Sequence, residues 1–418
     1  MNYRKRLLED KVKKYQGLFP ALLVTGARQV GKSTLLTHLF GKTHQHIVFD
    51  PVTDFENARQ DPEFFLQQHP APLILDEIQY APQLLPLIKK RIDRDRTPGQ
   101  FLLTGSQNLA LLKTVSESMA GRVAVLDLET MGLAERLDAV KISTHHSWLE
   151  EIFLAKKVLP KIQVFRRLRH QKPFTTLFDI LWRGGYPGTL ELPGEVLADY
   201  FQSYIRTYVE RDIRALAEIS DQQLFTRFCG LAAALTAQEI NHSQFGREIG
   251  ITPQTASRWL SILKATYQWL EIPPYHGNSI KKISGKGKGY LTDTGLLCYL
   301  LRVSSTEALA SLPLLGAIFE THVVMEIKRL CSATATPPHL YHWRCHSGAE
   351  VDLVLERDGI LWPIEIKCKT QITRGDLRGI EAFQQTYPEQ CGFAIVIASI
   401  DEAYFFNERV LVLPYDLS

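Results

Sequence analysis

The residues best suited to chemistry form a phosphate-binding loop near the amino terminus. Residues 21–34 read ALLVTGARQVGKST and match the pattern G-x-x-x-x-G-K-[ST] at every position. An apolar strand precedes the loop and a helix follows it, so backbone N–H groups and the helix dipole would face the phosphates of ATP. We predict that Lys32 neutralises phosphate oxygens and that Ser33 binds Mg²⁺. The predicted nucleotide-binding residues are Gly26, Ala27, Arg28, Gln29, Val30, Gly31, Lys32, Ser33, Thr34 and Asp76.

A second motif, LILDEIQ at residues 73–79, ends an apolar strand in two acids. Asp76 is predicted to act on Mg²⁺ together with Ser33, and Glu77 is predicted to orient and deprotonate the attacking water. A later strand, FLLTGS, delivers Ser106 to the same sheet edge, because ligands of open parallel sheets bind at the carboxyl ends of the strands. Ser106 is therefore a candidate sensor of the terminal phosphate.

Arg122 lies where a predicted helix gives way to a strand, directly after Gly121. An arginine at this position would complete the ATP site of a neighbouring subunit. The alternative is a surface ion pair, which would contribute little to catalysis or stability.

Length and composition limit the architecture. The 418 residues suffice for two or three domains. The net charge is only +3, so a nucleic-acid surface would require local clustering of basic residues. The six cysteines include no C-x-x-C pair, which indicates neither a zinc site nor a disulfide framework. We find no long apolar segment and no signal peptide, and we expect a cytoplasmic protein without membrane contact.

Two basic stretches leave their roles open. The first 17 residues are predicted to form an amphipathic helix with a solvated basic face, formed by Arg4, Lys5, Arg6, Lys11, Lys13 and Lys14. Between Phe153 and Lys172 there are seven basic residues and no acidic one. This second stretch is interpreted either as a contact surface for phosphates or as a solvated linker.

The segments GARQVGKST, LDEIQ, LLTGSQ and AGRV together resemble the AAA-type ATPase domain of prokaryotic ATP-binding proteins that carry a C-terminal domain of unknown function. Residues 178–188 and 195–219 resemble the same group. The resemblance implies a doubly wound parallel sheet and an ATP site shared between subunits, hence a homo-oligomer, with a hexamer as one option. After AGRV the chain departs from the group, because MGLAERL stands where a short Pro-Leu-Ser stretch is usual.

Residues 236–290 have the pattern of a helix-turn-helix followed by two strands. Thr252 is suited to cap the second helix and Pro253 to begin it. This winged helix would bind DNA through its second helix and the lysines of its wing, although winged helices of ATPases also dock proteins. The predicted DNA-binding residues are Gln254, Thr255, Ser257, Arg258, Lys281, Lys282, Lys286 and Lys288.

The last region, 315–418, contains a third set of reactive residues. Glu320 lies in a predicted helix and Asp352 in a strand, while Glu365 and Lys367 share one face of the next strand because they are two residues apart. Such a set would bind a divalent cation and a water for phosphodiester attack. The order resembles the PD-(D/E)xK nuclease core. Cleavage, an intact fold used only for binding or assembly, and a mere surface ion pair all stay open.

We therefore predict an α/β chain with an AAA+-type ATPase domain at 1–135, a basic linker and helical region at 136–220, a winged-helix region at 221–300 and a nuclease-like domain at 301–418. The predicted function is Mg²⁺-dependent ATP hydrolysis coupled to binding or remodelling of DNA, with branched or junction DNA as the sharpest version. One alternative is a nucleotide-switched signalling ATPase that binds a protein. Another is an ATP-regulated, metal-dependent nuclease.

Overall fold

The computed structural model describes residues 3–49, 56–106, 119–140, 147–208, 221–277, 285–345 and 348–417. The chain divides into two units. The first comprises Met1–Met131 with Ala265–Tyr267, and the second comprises Gly132–Lys264 with Gln268–Ser418. In the part of the chain that is described, no helix has the length and apolar character needed to cross a membrane.

The first unit is built on a five-stranded sheet in which every neighbouring pair of strands is parallel. The strand order is β2-β3-β4-β1-β5. Strands β1, β3 and β4 are buried along their whole length, as expected for the centre of a parallel sheet. The predicted P-loop α/β fold is confirmed. The strands are β1 (Ala21–Thr25), β2 (Gln45–Val48), β3 (Leu73–Asp76), β4 (Phe101–Gly105) and β5 (Val123–Asp127).

Helices pack their apolar sides against this sheet. In α5 the buried residues recur at helical spacing, at Leu84, Leu85, Ile88 and Ile92. The amino-terminal helix α1 is shorter than predicted and begins at Glu9. The described helices of this unit are α1 (Glu9–Gln16), α2 (Lys32–Phe40), α3 (Glu56–Gln60), α4 (Pro62–Gln68) and α5 (Leu84–Arg94).

The second unit begins with a set of helices. Among them, α11 and α12 confirm the positions predicted for the helix-turn-helix pair. Gly250 ends α11 at φ +79°, where a residue without a Cβ is favoured, and the Thr252 hydroxyl accepts a hydrogen bond from the Thr255 N–H at 3.1 Å. The helices are α6 (Leu133–Arg136), α7 (Trp148–Ala155), α8 (Leu177–Arg183), α9 (Leu197–Thr207), α10 (Gln222–Ala234), α11 (His242–Ile249), α12 (Pro253–Ala265), α13 (Thr294–Leu300), α14 (Thr306–Ala310), α15 (Leu315–Ala333) and α16 (Arg378–Thr386).

Two sheets complete the second unit. The smaller is antiparallel, in the order β6-β8-β7, with strands β6 (Gln238–Glu239), β7 (Trp269–Ile272) and β8 (Lys288–Leu291). The larger, which we call the C-terminal sheet, has the order β13-β14-β12-β11-β10-β9 and mixes parallel with antiparallel pairs. Its strands are β9 (His339–Arg344), β10 (Glu350–Arg357), β11 (Ile360–Lys367), β12 (Ala394–Ala398), β13 (Tyr404–Asn407) and β14 (Val410–Pro414).

Helix α7 belongs to the core of the C-terminal sheet although it ends at Ala155, long before the first strand of that sheet begins at His339. The ring of Phe153 meets the edge of Trp362 at a centroid distance of 5.3 Å, and the Trp362 indole N–H donates to the Lys156 carbonyl at 2.9 Å. Further along, Arg167 forms an ion pair with the buried Asp416 at 2.8 Å. Part of the stretch interpreted as a phosphate surface or a linker is therefore structural.

Replacing Leu149 by Ala tests this packing. Leu149 is fully buried in the core of the C-terminal sheet, so its truncation should lower the free energy of unfolding by about 2–5 kcal/mol. Leu154, on the same helix, is 67% exposed, and Leu154→Ala should change it by less than about 0.5 kcal/mol. All six tryptophans lie in the second unit, so urea unfolding followed by tryptophan fluorescence measures the difference. Equal effects of the two changes would contradict the assignment.

Candidate functional site

The phosphate loop connects β1 to α2 and depends on two glycines with positive φ. Gly26 has φ +145°, and a Cβ there would lie 2.1 Å from the carbonyl oxygen of Leu128. Gly31 has φ +94° and directly precedes α2. The Lys32 ammonium is buried and donates to the carbonyl oxygens of Gly26 at 3.1 Å and Ala27 at 2.9 Å. The loop therefore holds its cation above the helix N-terminus, where a phosphate would bind.

The structure brings Ser33 and Asp76 together. The Ser33 hydroxyl donates to Asp76 Oδ1 at 2.7 Å, and the hydroxyl of Thr104 donates to the same oxygen. This follows from the sheet order, since β3, β4 and β1 are neighbours and their carboxyl ends lie at one edge. A hydroxyl and a carboxylate are hard oxygen ligands of the kind that Mg²⁺ binds beside nucleotide phosphates. The residues present fit Mg²⁺ with ATP.

Glu77 is held in place from several directions. It adopts the left-handed backbone conformation at φ +57°, and its N–H donates to the Thr104 hydroxyl at 2.9 Å. Ser106 donates to Glu77 Oε2 at 3.1 Å, while the Gln79 amide donates both to Glu77 Oε2 and to Ser106, the latter at 3.1 Å. A strained non-glycine backbone with a fixed carboxylate is typical of a functional position.

Gln79 and Thr104 were not among the predicted site residues. Both stand within the motifs that were recognised, LILDEIQ and FLLTGS, and each is two residues from a predicted site residue of the same motif, Glu77 or Ser106. Both residues could have been found from the sequence, because polar side chains near the carboxyl ends of the central strands are expected to face the ligand.

The prediction of a solvated basic face is wrong for Arg6. Its side chain is only 4% exposed, and its guanidinium donates to the carbonyl oxygens of Val30 and Glu129, each at 2.7 Å. Arg6 thereby supports the phosphate loop from behind. The guanidinium provides five donors, which suits it to satisfy several loop carbonyls at once.

Of the remaining predicted loop residues, Ala27 and Val30 are buried, whereas Arg28, Gln29 and Thr34 lie closer to solvent. Arg28 donates to the Tyr80 hydroxyl at 3.1 Å. Gln29 and Thr34 are exposed, and Gln29 has φ +60°. These positions shape the loop entrance, while the buried chemistry lies on Lys32 and Ser33.

Arg122 forms the surface ion pair that was one of its two predicted roles. It contacts Asp93 and donates to the Ala120 carbonyl at 3.0 Å. The hydrogen bond from Arg122 lowers the pKa of the exposed Asp93 carboxyl. The role of Arg122 in a neighbouring subunit's site stays a prediction.

Helix α12 presents its predicted residues on an accessible side. Gln254 and Arg258 are exposed, and Thr255 and Ser257 are half-buried, whereas the intervening apolar residues Ala256, Trp259 and Leu260 are buried. Lys286 is exposed as well. Lys281 and Lys282 lie outside the described residues.

The predicted place of Lys288 on an exposed wing is wrong. Its side chain belongs to β8 and is buried, with 7% of the residue exposed. Its ammonium contacts Glu320 and lies 3.1 Å from Asp352 Oδ1. An ammonium held by the buried Asp352 and the partly buried Glu320 does not contact DNA phosphates in this conformation. All four residues of β8 are buried, and the two-residue period of a strand puts Lys288 on the same face as Tyr290. A count of basic residues could not reveal this burial.

The four predicted nuclease-like residues do come together around Lys288. Asp352 Oδ2 accepts from the Ile366 N–H at 2.9 Å and lies 3.9 Å from the Lys367 ammonium. Lys367 also donates to Glu365, while Glu320 accepts from the Tyr290 hydroxyl at 2.8 Å. We call this set the acidic cluster: Glu320, Asp352 and Glu365 with Lys288, Lys367 and Tyr290.

Burial dominates the electrostatics of the acidic cluster. Burial and the nearby Asp352 raise the pKa of Glu320 to about 7 and that of Glu365 to about 8. Burial opposes the charge of Lys288, but its neighbours Tyr290, Glu320 and Asp352 outweigh it and raise its pKa well above the ordinary value. The cluster thus favours the charged form of its lysines and opposes the ionisation of all three of its carboxyl groups.

The acidic cluster does not have the arrangement of a metal site. Across the described ranges, no group of three or more His, Cys, Asp or Glu side chains is placed to hold a metal ion. The residues predicted for a nuclease-like core therefore meet in space, but ammonium groups of Lys288 and Lys367 stand against their carboxylates.

Three segments of the chain match known domain families. Residues 18–137 match the AAA domain, residues 174–307 match the domain of unknown function DUF8612, and residues 315–417 match the domain of unknown function DUF4143. The first match contains the phosphate loop, Asp76, Glu77 and Ser106. The last contains the acidic residues of the acidic cluster.

Two relatives share much of the chain. The uncharacterized proteins Rv2008c of Mycobacterium tuberculosis and Mb2031c of Mycobacterium bovis are each 30% identical over 350 residues, which cover 83% of this chain and 70% of the relative. Among solved structures, the Walker-type ATPase PABY2304 of Pyrococcus abyssi is similar at 15% identity and a TM-score of 0.40. That similarity covers 70% of this chain and 94% of the other.

The raised pKa of Glu365 predicts a pH-dependent stability. Because its pKa of about 8 lies above the ordinary 4.5, the folded chain holds a proton that the unfolded chain releases in this interval. The free energy of unfolding should therefore fall as pH rises from about 5 to about 8, by up to about 1.4 kcal/mol per pH unit from this group. Glu365→Gln removes the titrating group and should flatten this decline, with Glu320 leaving a smaller slope.

Urea unfolding at pH 6, 7 and 8, followed by tryptophan fluorescence, measures the decline. Glu381→Gln on α16 removes an exposed carboxylate and serves as the matched control. Parallel pH profiles for wild type and Glu365→Gln would contradict the prediction.

Proposed function

Because the chain belongs to the family of the uncharacterized protein Rv2008c and carries an AAA-type ATPase domain, we propose that it couples Mg²⁺-dependent ATP hydrolysis to DNA binding. The observation that carries the hydrolytic part is the joint placement of Ser33, Asp76 and Glu77 at one edge of the parallel sheet. The exposed polar side of α12 supports the DNA part.

The phosphate loop would bind the nucleotide. Backbone N–H groups between Gly26 and Gly31 would donate to the phosphates, and Lys32 would exchange its two loop carbonyls for phosphate oxygens. Ser33 and Asp76 would hold Mg²⁺, which neutralises the charge that develops on the phosphates. Thr104 fixes the orientation of the Asp76 carboxylate toward Ser33.

Glu77 would act as the general base. Its Oε2 is fixed by Ser106 and Gln79, so the carboxylate has little freedom to turn away from a water at the sheet edge. Fixing the base before the reaction avoids the cost of ordering it during the reaction. Ser106 and Gln79 are also placed to change partner when a terminal phosphate binds nearby, which is the behaviour expected of a sensor.

Glu77→Gln should separate binding from hydrolysis. The amide keeps the size of the side chain but cannot accept the proton, so kcat should fall by roughly 10²–10⁴ while ATP still binds. Lys32→Ala should lose binding itself, and Glu63→Gln, which alters an exposed carboxylate of the same unit, should keep wild-type turnover. Steady-state phosphate release and binding of a fluorescent ATP analogue measure the two effects. Wild-type kcat in Glu77→Gln would remove Glu77 from this role.

DNA is the partner that we propose for α12. Gln254 and Arg258 lie one turn apart on its exposed side, next to the half-buried Thr255 and Ser257. Amide and guanidinium groups are the side chains that make bidentate contacts with base edges in the major groove. Lys286 would add a phosphate contact. Branched or junction DNA is the sharpest form of this proposal.

Arg258→Ala should weaken duplex or junction DNA binding by roughly ten- to a hundredfold. Arg94→Ala removes the same charge from an exposed position of the first unit and should have a much smaller effect. Fluorescence anisotropy with single-stranded, duplex and four-way DNA at two salt concentrations measures both. If wild type binds none of these DNAs at low salt, the exposed side of α12 is assigned to a protein partner instead.

The ATP site is also proposed to lie between subunits of a homo-oligomer. Arg122 would then leave its ion pair with Asp93 and contact the nucleotide of a neighbour. Because this ion pair is exposed, breaking it should cost little free energy, since surface ion pairs contribute about 0–1 kcal/mol.

A further inference from the structure

The acidic cluster has an unusual centre. In it, Lys288 reaches from the small sheet to carboxylates of α15 and β10, contacting Glu320 and lying 3.1 Å from Asp352. Lys367 provides a second ammonium from β11, in contact with Glu365. Three carboxylates are thus faced by two cations that belong to the chain itself.

One oxygen in the acidic cluster lacks a partner. Glu365 is only 5% exposed, and its Oε2 is a buried atom without a hydrogen bond, whereas its Oε1 accepts from Lys367. A Cβ on Gly379 would lie 3.5 Å from this oxygen, so the neighbouring helix α16 approaches it closely without offering a donor. A buried carboxylate oxygen without a donor is costly and marks a site with unused capacity for a cation.

An ammonium and a divalent cation compete for the same carboxylates. Both are compact charges that attract oxygen ligands. The ammonium of Lys288 is part of β8, so it loses no translational entropy on binding, whereas a free cation does. A cation entering between Glu320 and Asp352 would have to displace Lys288 into a buried space, where an unpaired charge is strongly unfavourable. The ammonium of Lys288 therefore excludes a free divalent cation from these carboxylates.

We propose that the ammonium of Lys288 takes the place of a divalent metal ion in the acidic cluster. The wild-type chain then binds no Mg²⁺ or Mn²⁺ at Asp352, and its nuclease-like domain does not cleave phosphodiesters. Removing the ammonium exposes three carboxylates and an unpartnered oxygen, which together accept a hard cation. This proposal does not depend on ATP hydrolysis or on DNA binding.

The test is Mn²⁺ binding to the full chain without nucleotide, followed by the electron paramagnetic resonance signal of free Mn²⁺. Lys288→Met keeps the length of the buried stem and removes the charge. It should gain one Asp352-dependent site, at least tenfold tighter than any such site in wild type. In the double variant Lys288→Met/Asp352→Asn this site should be absent, and Lys264→Met, at an exposed lysine of α12, should leave the wild-type titration unchanged.

Two results would overturn the proposal. One is a folded Lys288→Met chain that gains no Mn²⁺ site, with folding checked by circular dichroism and Lys288→Gln used if the methionine variant unfolds. The other needs no Lys288 variant: Mn²⁺ binding or plasmid nicking by wild type that is lost in Asp352→Asn would show that the metal already enters. Identical Mn²⁺ titrations of wild type and Asp352→Asn support the proposal by themselves.

Discussion

Carboxylates removed from water must be neutralised, and in the second unit this requirement is met by Lys288. The residue belongs to β8 of the small sheet, while its partners belong to α15 and β10. Because an unpaired charge in this place would cost several kcal/mol, the ion contacts fix where β8 stands relative to the C-terminal sheet. Tyr290, two residues further along β8, donates to Glu320 and strengthens the same alignment.

The first unit meets a different constraint, which is to bring groups distant in sequence to one sheet edge. Parallel strands achieve this because their carboxyl ends coincide. The order β3-β4-β1 places Asp76, Thr104 and Thr25 on adjacent strand ends, so a single hydroxyl from α2, that of Ser33, completes the site. The strained backbone of Glu77 is tolerated because Thr104 and Gln79 both hold it.

Local chemistry was predictable from the sequence, whereas contacts between distant segments were not. Ser33 and Asp76 belong to motifs whose geometry follows from the motif itself. The doubly wound parallel sheet was implied by the family resemblance, and the helix-turn-helix positions followed from periodicity and caps. Arg6 and Lys288 were taken as solvated because nearby charges share their sign, but each lies beneath a segment far away in the chain. Gln79 stood within a recognised motif, and only the structure shows its two acceptors.

The acidic cluster also shows why a motif does not establish a reaction. The chain has the motif's residues in the predicted order, and they meet in space: Glu320, Asp352, Glu365 and Lys367. Their carboxylates are nevertheless neutralised by lysine side chains. Buried ion networks seldom stabilise a fold more than apolar packing of the same volume would. Because such a network adds little stability, we interpret its main effect as specificity: it aligns one strand of the small sheet with the C-terminal sheet. On this argument the acidic cluster acts as a structural contact, because its ion pairs join β8, α15 and β10 within the unit.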